Sequence, residues 1–426
     1  MSKSNRLFNK GFCALLITQL FGAINDSVLK QVIILAVAAD AIWADEFGVG
    51  GQAYPALCLT IPFILLSGIA GQIADRISKS RIAVIAKLAE VGIATVAFGA
   101  FLADSIWACL GALVLLAIQS AFFGPAKYGM IPELVKDKHL SQANGSINMF
   151  TNLAIIGGTL VAGKVYSSYA GIDSTGLAKP AMLWVPGVVF VVIAIVGLLP
   201  SILLPKLKSY NQSLPIDFNP FRPYVRALKE MSRSSLLLVA LAWSFFYLIG
   251  MMALLVLPDF SGILEITIEK NNTLLGVLGI TIGLGSVVAG LISGKHIEPR
   301  LIPVGAIGMT FFFLLIGVVP LSFEGVAALL GGAGFFAGFY IVPLQSLLQH
   351  LSPAGERGRF LGTANALSFV FSSIGAILVL VLLNYMPANQ VFLPIGGLAF
   401  VGTGVLLWRI RKLLRDPSLR KATTEG

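Results

Sequence analysis

Long apolar runs separated by short polar segments recur along the whole chain of 426 residues. A helix that crosses a bilayer needs about 20 consecutive apolar residues, and twelve runs meet that requirement. Gly and Pro interrupt many of the runs, which membrane helices tolerate better than soluble helices do. The pattern therefore predicts an all-α integral membrane protein. Its twelve transmembrane helices are expected near residues 11–38, 53–74, 82–103, 105–126, 147–170, 183–204, 235–258, 272–294, 301–321, 325–350, 361–385 and 389–410.

Composition and charge placement support the same interpretation. The chain is 57% hydrophobic and 12% charged, whereas soluble domains carry about 25% charged residues, so a soluble fold is excluded. On the predicted topology, 24 of the 30 Lys and Arg residues lie on the side of the N-terminus and three lie in the opposite loops. Because basic loops stay in the cytoplasm, both termini are expected there. The net charge of +10 therefore reflects topology, and no nucleic-acid partner is expected.

The longest polar segment, residues 205–234, lies midway along the chain. It separates an N-terminal six-helix half (1–204) from a C-terminal six-helix half with a cytoplasmic tail (235–426). Within it, apolar and basic residues recur at helical spacing, which predicts a basic amphipathic helix on the inner leaflet. The predicted apolar face holds Phe221, Tyr224, Val225, Leu228 and Met231, and the basic face holds Arg222, Arg226, Lys229 and Arg233. The simplest role for this segment is a topological linker.

The two halves repeat one another. Pro125 and the later Asn144 of the first half correspond to Pro343 and Asn365 of the second, and each Asn follows an Ala. Two six-helix halves in parallel repeat are typical of alternating-access transporters, in which the substrate site lies near the midplane between the halves.

The loop after the second predicted helix reads Gly71-Gln-Ile-Ala-Asp75-Arg76-Ile-Ser-Lys79-Ser-Arg81. It resembles motif A of the major facilitator superfamily, G-x-x-A-D-R-x-G-R-K-R, with Ser78 at the second glycine. Asp75 ends the helix where it can meet the positive N-terminus of a neighbouring helix, and the basic residues hold the loop at the headgroups. Such a contact can lock one conformation. We expect Gly71, Asp75, Arg76 and Arg81 to serve the conformational change; a plain charged turn is the alternative.

The first predicted helix carries ionised side chains in the sequence Asn25-Asp26-Ser-Val-Leu-Lys30. A charge at mid-membrane costs about 2.5–3.5 kcal/mol on insertion scales. Asp26 and Lys30 are four residues apart, so they share a helix face and can pair. Because a pair facing lipid would still be costly, we expect this face to line the cavity, where Lys30 binds a phosphate and Asp26 an amine. Mutual neutralisation alone is the alternative.

The fourth predicted helix ends in Gly124-Pro-Ala-Lys127-Tyr128-Gly129. Gly and Pro break helical hydrogen bonding, so this backbone can bend or line a cavity. Lys127 can reach anionic groups, while Glu133 either caps the next element or pairs with Lys127. A purely structural bend is the alternative. In the third helix, Lys87 and Glu90 are one turn apart and are interpreted as a structural pair.

Motifs for catalysis are missing from the sequence. The segment from Gly290 to Lys295 is one residue short of a phosphate-binding loop and follows no predicted strand. The three histidines are isolated, and the three cysteines lie in apolar runs without metal-ligand spacing. We therefore expect a protein that is not an enzyme and that has no cofactor or metal.

Taken together, the sequences around Asn25-Asp26, residues 124–129 and residues 339–349 resemble the lysophospholipid transporter family (LplT) of the major facilitator superfamily. The resemblance runs through nearly the whole chain, and Pro-Ala-Lys-Tyr-Gly is its most specific piece. It implies a monomeric flippase of the bacterial inner membrane, with the twelve-helix fold of that superfamily. Its substrates would be lysophospholipids, moved from the outer to the inner leaflet. A separate acyltransferase and acyl-carrier-protein ligase would then re-acylate them.

The resemblance also assigns candidate site residues. The acid of helix 1 corresponds to Asp26 and the lysine of helix 4 to Lys127. Asn25, Tyr128 and Gln345 lie in the matching segments and are candidates as well. Where relatives would carry a basic residue in helix 7, this chain has methionines, and the resemblance leaves Lys30 to substitute. The headgroup preference and any coupling to protons or sodium stay open.

Three other functions fit the sequence less well. A proton-coupled exporter of drugs or small metabolites shares the fold, and export driven by a pH gradient in proteoliposomes would favour it. A membrane scaffold for an acyltransferase would not move lipid by itself. The third alternative, a membrane enzyme, is disfavoured because the sequence contains no recognisable catalytic residues.

Overall fold

The structure is a computed structural model that describes residues 6–37, 42–47, 53–171, 178, 180–210, 212–266, 268–319 and 322–414. Within these residues, twelve helices are long and apolar enough to cross a membrane, which confirms the predicted class. They are α1 Lys10–Ala36, α2 Ala53–Arg76, α3 Lys79–Leu102, α4 Ile106–Leu134, α5 Leu140–Ala170, α6 Trp184–Ile202, α7 Leu236–Val256, α8 Ile268–Ser293, α9 Leu301–Val318, α10 Phe323–Leu351, α11 Arg357–Leu382 and α12 Ala388–Leu414.

The largest differences from the predicted spans lie in the fourth and fifth helices. Helix α4 continues through Pro125 and Pro132 to Leu134, although its span was expected to end near residue 126. Helix α5 begins at Leu140, before its apolar stretch. A span predicted from apolar residues ends where polar residues begin. These helix ends, however, pack against other helices of the bundle, and their backbone remains helical despite the prolines.

The same packing pattern occurs in both halves. In the N-terminal half, α1 packs on α5, α2 on α4, and α3 on α4 and α6. In the C-terminal half, α7 packs on α11, α8 on α10, and α9 on α10 and α12. Each half buries an apolar core of its own, while apolar side chains such as Leu160 and Leu203 point outward, as hydrocarbon solvent permits. The fold therefore consists of two six-helix halves in parallel repeat.

The halves meet mainly through two helix pairs, α2 with α11 and α5 with α8, and α5 with α10 and α4 with α11 make smaller contacts. The contacts involve the second part of α2 and the first part of α5. They therefore lie toward the end of the bundle where α1 begins, which we call the N-face. A Cβ atom at Gly71 or Gly145 would overlap the backbone of Gly358 or Ser286 in the other half. The halves are thus in close backbone contact at the N-face, which is closed.

The segment between the halves contains a helix, Arg222–Met231, which we call the linker helix. Its buried side chains are Pro223, Ala227 and Met231. Phe221 and Val225 are exposed, so the predicted apolar face is divided between the bundle and the surface of the molecule, and its contact with the inner leaflet stays a prediction. The helix turns its small side chains and Met231 toward the bundle because they allow close packing, and it leaves the larger apolar pair beside the arginines.

Candidate substrate cavity

A cavity of about 310 Å³ lies between the two halves. Helices α1, α2, α3 and α4 contribute to its lining on one side, and α7 and α11 contribute on the other. Its lining contains four ionisable side chains, several amides and hydroxyls, and a group of aromatic rings. They include Asp26, Lys87, Glu90 and Lys127; Gln19, Gln119, Ser120, Asn365, Ser368 and Ser372; and Phe63, Phe123, Tyr128, Tyr247 and Phe369.

Asp26 projects from α1 into this cavity. One carboxylate oxygen, Oδ2, accepts a hydrogen bond of 3.1 Å from the Ser120 hydroxyl on α4. The other oxygen, Oδ1, is buried and has no hydrogen-bond partner among the described residues. A buried polar atom without a partner is unfavourable by about 1–3 kcal/mol, and more when it is charged. The Oδ1 atom is therefore available to a donor group of a ligand.

Lys127 projects from α4 into the same cavity. Its ammonium lies 4.5 Å from the centre of the Tyr128 ring and 5.9 Å from that of Phe123. The charges of Lys127 and Asp26 attract each other, yet Lys127 makes no direct ion pair within the described part of the chain. Glu133 pairs instead with Lys79 at 2.8 Å, so of the two alternatives for Glu133 the pair with Lys127 is wrong. The Lys127 side chain faces the cavity, where its ammonium can meet an anion.

Lys87 and Glu90 form a buried ion pair at 2.5 Å on α3, as expected from their spacing. Both also line the cavity, which the sequence did not indicate. The amide of Asn25 donates a 3.2 Å hydrogen bond to Glu90, so Asn25 supports this pair from α1 and is absent from the cavity lining. A Cβ at Gly22 would overlap the Lys87 ammonium, so glycine lets α1 and α3 approach here.

Besides Asn25, two further predicted site residues lie outside the cavity lining. Lys30 is half-buried, and although Asp26 attracts its charge, the two form no direct ion pair in the described structure. The Gln345 carbonyl accepts a 3.0 Å hydrogen bond from Asn148. Gln345 on α10 and Asn148 on α5 therefore join the two halves. The structure brings together Asp26, Lys127 and Tyr128, and it places Asn25, Lys30 and Gln345 outside the cavity lining.

Several cavity residues were missed by the sequence reasoning. Ser120 and Phe123 precede Lys127 by seven and four residues, so all three share one face of α4. That spacing was a usable signal. Asn365 was visible as the repeat partner of Asn144. No signal in the sequence identified Tyr247, because aromatic residues in membrane helices usually serve packing.

The motif A acid makes the contact expected of it. The Asp75 carboxylate accepts hydrogen bonds from the backbone N–H groups of Gly358 (2.6 Å) and Arg359 (2.9 Å), at the start of α11. Arg76 and Arg81 are exposed and make no ion pair within the described part of the chain. The conformational role of the motif stays a prediction, while its acid lies at a contact between the halves.

A second polar contact closes the N-face between α5 and α10. The Asn144 amide donates to Ser346 at 3.1 Å and to Gln349 at 2.9 Å. The Gln349 amide donates back to the Asn144 carbonyl at 3.0 Å. Nearer the cavity, the Phe63 and Phe369 rings stack with centres 4.2 Å apart. The cavity is thus closed on its N-face side.

A charged cavity between two repeated six-helix halves, closed at one end, is the arrangement found in membrane transporters. The chain belongs to the major facilitator superfamily, whose family model matches residues 15–376. Its relatives confirm the predicted kinship with the lysophospholipid transporter family. The lysophospholipid transporter LplT of Cronobacter sakazakii (strain ATCC BAA-894) is 26% identical, over 96% of this chain and 98% of the relative. That of Shigella flexneri serotype 5b (strain 8401) is 28% identical, over 94% of each chain.

Solved structures share the fold. The human organic anion transporter MFSD10 (TETRAN) has a TM-score of 0.75 at 14% identity and covers 93% of this chain and 99% of its own. FucP, a major facilitator superfamily transporter crystallised in the outward conformation, has a TM-score of 0.69 at 12% identity, with 94% and 99% covered. At these identities the likeness establishes the fold alone, and it agrees with the twelve-helix architecture.

Proposed function

We propose that this protein transports lysophospholipids by alternating access and binds their headgroup in the cavity between the halves. The observation that carries the proposal is the pair of opposite charges, Asp26 and Lys127, which face one cavity without forming a direct contact. The names of the relatives point to the same substrate class. A phosphate group fits the Lys127 ammonium, and the amine of an ethanolamine headgroup fits the Asp26 oxygen that has no partner.

The rest of the cavity suits a zwitterionic headgroup. Lys87 and Glu90 neutralise each other at 2.5 Å, so the net charge offered to a ligand comes from Asp26 and Lys127. Lys127 thereby takes the phosphate-binding role that the sequence suggested for Lys30. The aromatic rings at the wall can hold the apolar part of the substrate next to the headgroup.

The charge distribution supports inward transport as the direction in this proposal. If the basic loops face the cytoplasm, the N-face is the cytoplasmic end of a bacterial inner-membrane protein with both termini inside. The closed N-face then leaves the cavity accessible from the outer side. The transporter accepts a lysophospholipid from the outer leaflet and releases it toward the inner leaflet. A separate acyltransferase that consumes the product would keep this flow in one direction.

Uptake and acylation of labelled lysophosphatidylethanolamine in cells test this function. Asp26→Asn and Lys127→Ala should each lower uptake at least tenfold, since each removes a charge that meets the headgroup. Lys30→Ala is the matched control, because Lys30 lies on the same helix as Asp26 but outside the cavity lining, and it should keep at least half of the activity. Normal uptake in both cavity variants would refute the proposed site.

A proton-coupled exporter is the second candidate, favoured by the carboxylate oxygen of Asp26 that lies buried in the cavity without a hydrogen-bond partner. Such a group can exchange a proton with each transport cycle. Proteoliposomes separate the two functions. Export of a soluble substrate driven by a pH gradient, without movement of labelled lysophospholipid, would replace the first proposal by the second.

A further inference from the structure

The linker helix touches both halves of the molecule at the N-face. It contacts α2 of the N-terminal half, and α7 and α11 of the C-terminal half. Ala227 and Met231 are fully buried in this contact. Helices α2 and α11 are also one of the helix pairs that close the N-face. The linker helix therefore packs across a closure that has to open during alternating access.

The Tyr224 hydroxyl is inserted into the backbone of α2. It donates a 2.6 Å hydrogen bond to the Ile64 carbonyl and accepts a 2.8 Å hydrogen bond from the Gly68 N–H. In a regular α-helix, these two backbone groups bond to each other. Burial raises the pKa of Tyr224 to about 12, so the hydroxyl keeps the proton that it donates.

Glycine is required at position 68 for this contact. A Cβ there would lie 2.7 and 2.9 Å from atoms of the Tyr224 ring, and real Cβ atoms do not approach other atoms so closely. A second contact follows one turn later on α2. The Gln72 side chain accepts from the Asp217 N–H at 2.9 Å and donates to the Asp217 carbonyl at 3.2 Å. The linker is thus bound to α2 at two points.

The other side of the linker is bound to α11. The Glu230 carboxylate pairs with the Arg359 guanidinium through two N–H donors, one of them at 3.3 Å from Oε1. The backbone N–H of Arg359 is one of the two groups that Asp75 binds. The linker helix therefore reaches the helix end that motif A also holds.

We propose that the linker segment from Asp217 to Met231 is a latch that holds the N-face closed. It binds α2 through Tyr224 and Gln72 and α11 through Glu230. When the N-face opens, α2 and α11 separate, and the linker has to release one of them. These contacts therefore stabilise the closed state relative to the open one. The inference goes beyond transport and does not depend on the substrate.

The rate at which a buried cysteine is alkylated tests the latch on purified, substrate-free protein. Ser346→Cys supplies the probe in a chain whose native cysteines Cys13, Cys58 and Cys109 are replaced. Ser346 is fully buried where α5 meets α10, so maleimide reaches it only after the N-face opens. With fast opening and closing, the alkylation rate follows the population of the open state. A small shift is therefore measurable even when open molecules are rare.

Tyr224→Phe and Glu230→Gln should each speed alkylation by about three- to tenfold, equivalent to about 0.7–1.4 kcal/mol. Tyr210→Phe is the control, because it removes a linker hydroxyl that makes no hydrogen bond within the described residues, and it should leave the rate unchanged. In the chain that carries the Ser346→Cys probe, Gly68→Ala should speed alkylation when Tyr224 is present. It should not do so in Tyr224→Ala, where the ring that the new methyl group would displace is gone.

Two results would overturn the latch. One is an unchanged or slower rate in both Tyr224→Phe and Glu230→Gln while their thermal stability equals that of the parent. The other is an equal effect of Gly68→Ala with and without the Tyr224 ring. Either result would mean that the linker follows the two halves passively.

Discussion

The contact between Asp75 and the start of α11 allows a prediction of how strongly motif A favours the closed N-face. The carboxylate accepts two backbone hydrogen bonds, at 2.6 and 2.9 Å. In Asp75→Asn the amide carbonyl can accept one of them, while the NH2 group faces a donor. A hydrogen bond to a charged group contributes about 1.5–3 kcal/mol. The lost attraction between a negative charge and a helix N-terminus adds about 0.3–1 kcal/mol.

The sum, about 2–4 kcal/mol, corresponds to a ratio of closed to open molecules that is about 30 to 1,000 times smaller. Alkylation of the cysteine at Ser346 should accelerate by the same factor. Glu298→Gln is the control, because this carboxylate at the N-face pairs with Arg300 of its own loop. A change smaller than threefold in Asp75→Asn would refute the reasoning, since it would show that the contact is equally favourable in both states.

Three further predictions concern the cavity and the helix contacts. Lys87→Met leaves Glu90 buried without its partner and should destabilise the protein by about 3–5 kcal/mol, which lowers the melting temperature. Adding Glu90→Gln to this variant should restore part of the lost stability. An unchanged melting temperature in Lys87→Met would contradict the buried pair. Ser120→Ala removes one hydrogen bond to Asp26 and should change KM for lysophospholipid uptake about three- to tenfold, with less effect than Asp26→Asn. A Cβ at position 290 would lie 3.0 Å from the backbone of α5, so the larger side chain of Gly290→Leu should weaken the contact of α8 with α5. The cysteine probe should then be alkylated faster. Unchanged alkylation would mean that α5 and α8 do not control opening.

The sequence predicted those features that depend on the solvent of the chain. Hydrocarbon requires long apolar helices, so the twelve spans could be recognised from hydropathy, and the repeat of the two halves from matching residues such as Pro125 and Pro343. The position of Asp75 at a helix end was enough to predict its partner type, because any helix N-terminus attracts an anion. The spacing of motif A along the chain is therefore enough to indicate this contact.

The partners of the other ionised residues could not be predicted, because side-chain direction depends on the rotation of each helix in the bundle. Asp26 and Lys30 are one turn apart on α1, yet only Asp26 lines the cavity. Glu133 binds Lys79, which is distant in sequence. The contributions of α7 and α11 to the cavity depend on how the two halves dock, and hydropathy contains no information about docking.

The ionised side chains in the cavity lining all belong to α1, α3 and α4 of the N-terminal half, and the opposite wall offers amides, hydroxyls and rings. On the proposed function, a bound headgroup would therefore stay anchored to one half while the other slides past it. The preference for a headgroup and the rate of the conformational change would then be encoded in separate parts of the gene. A chimera that joins this N-terminal half to the C-terminal half of a relative would inherit the first of these properties and exchange the second.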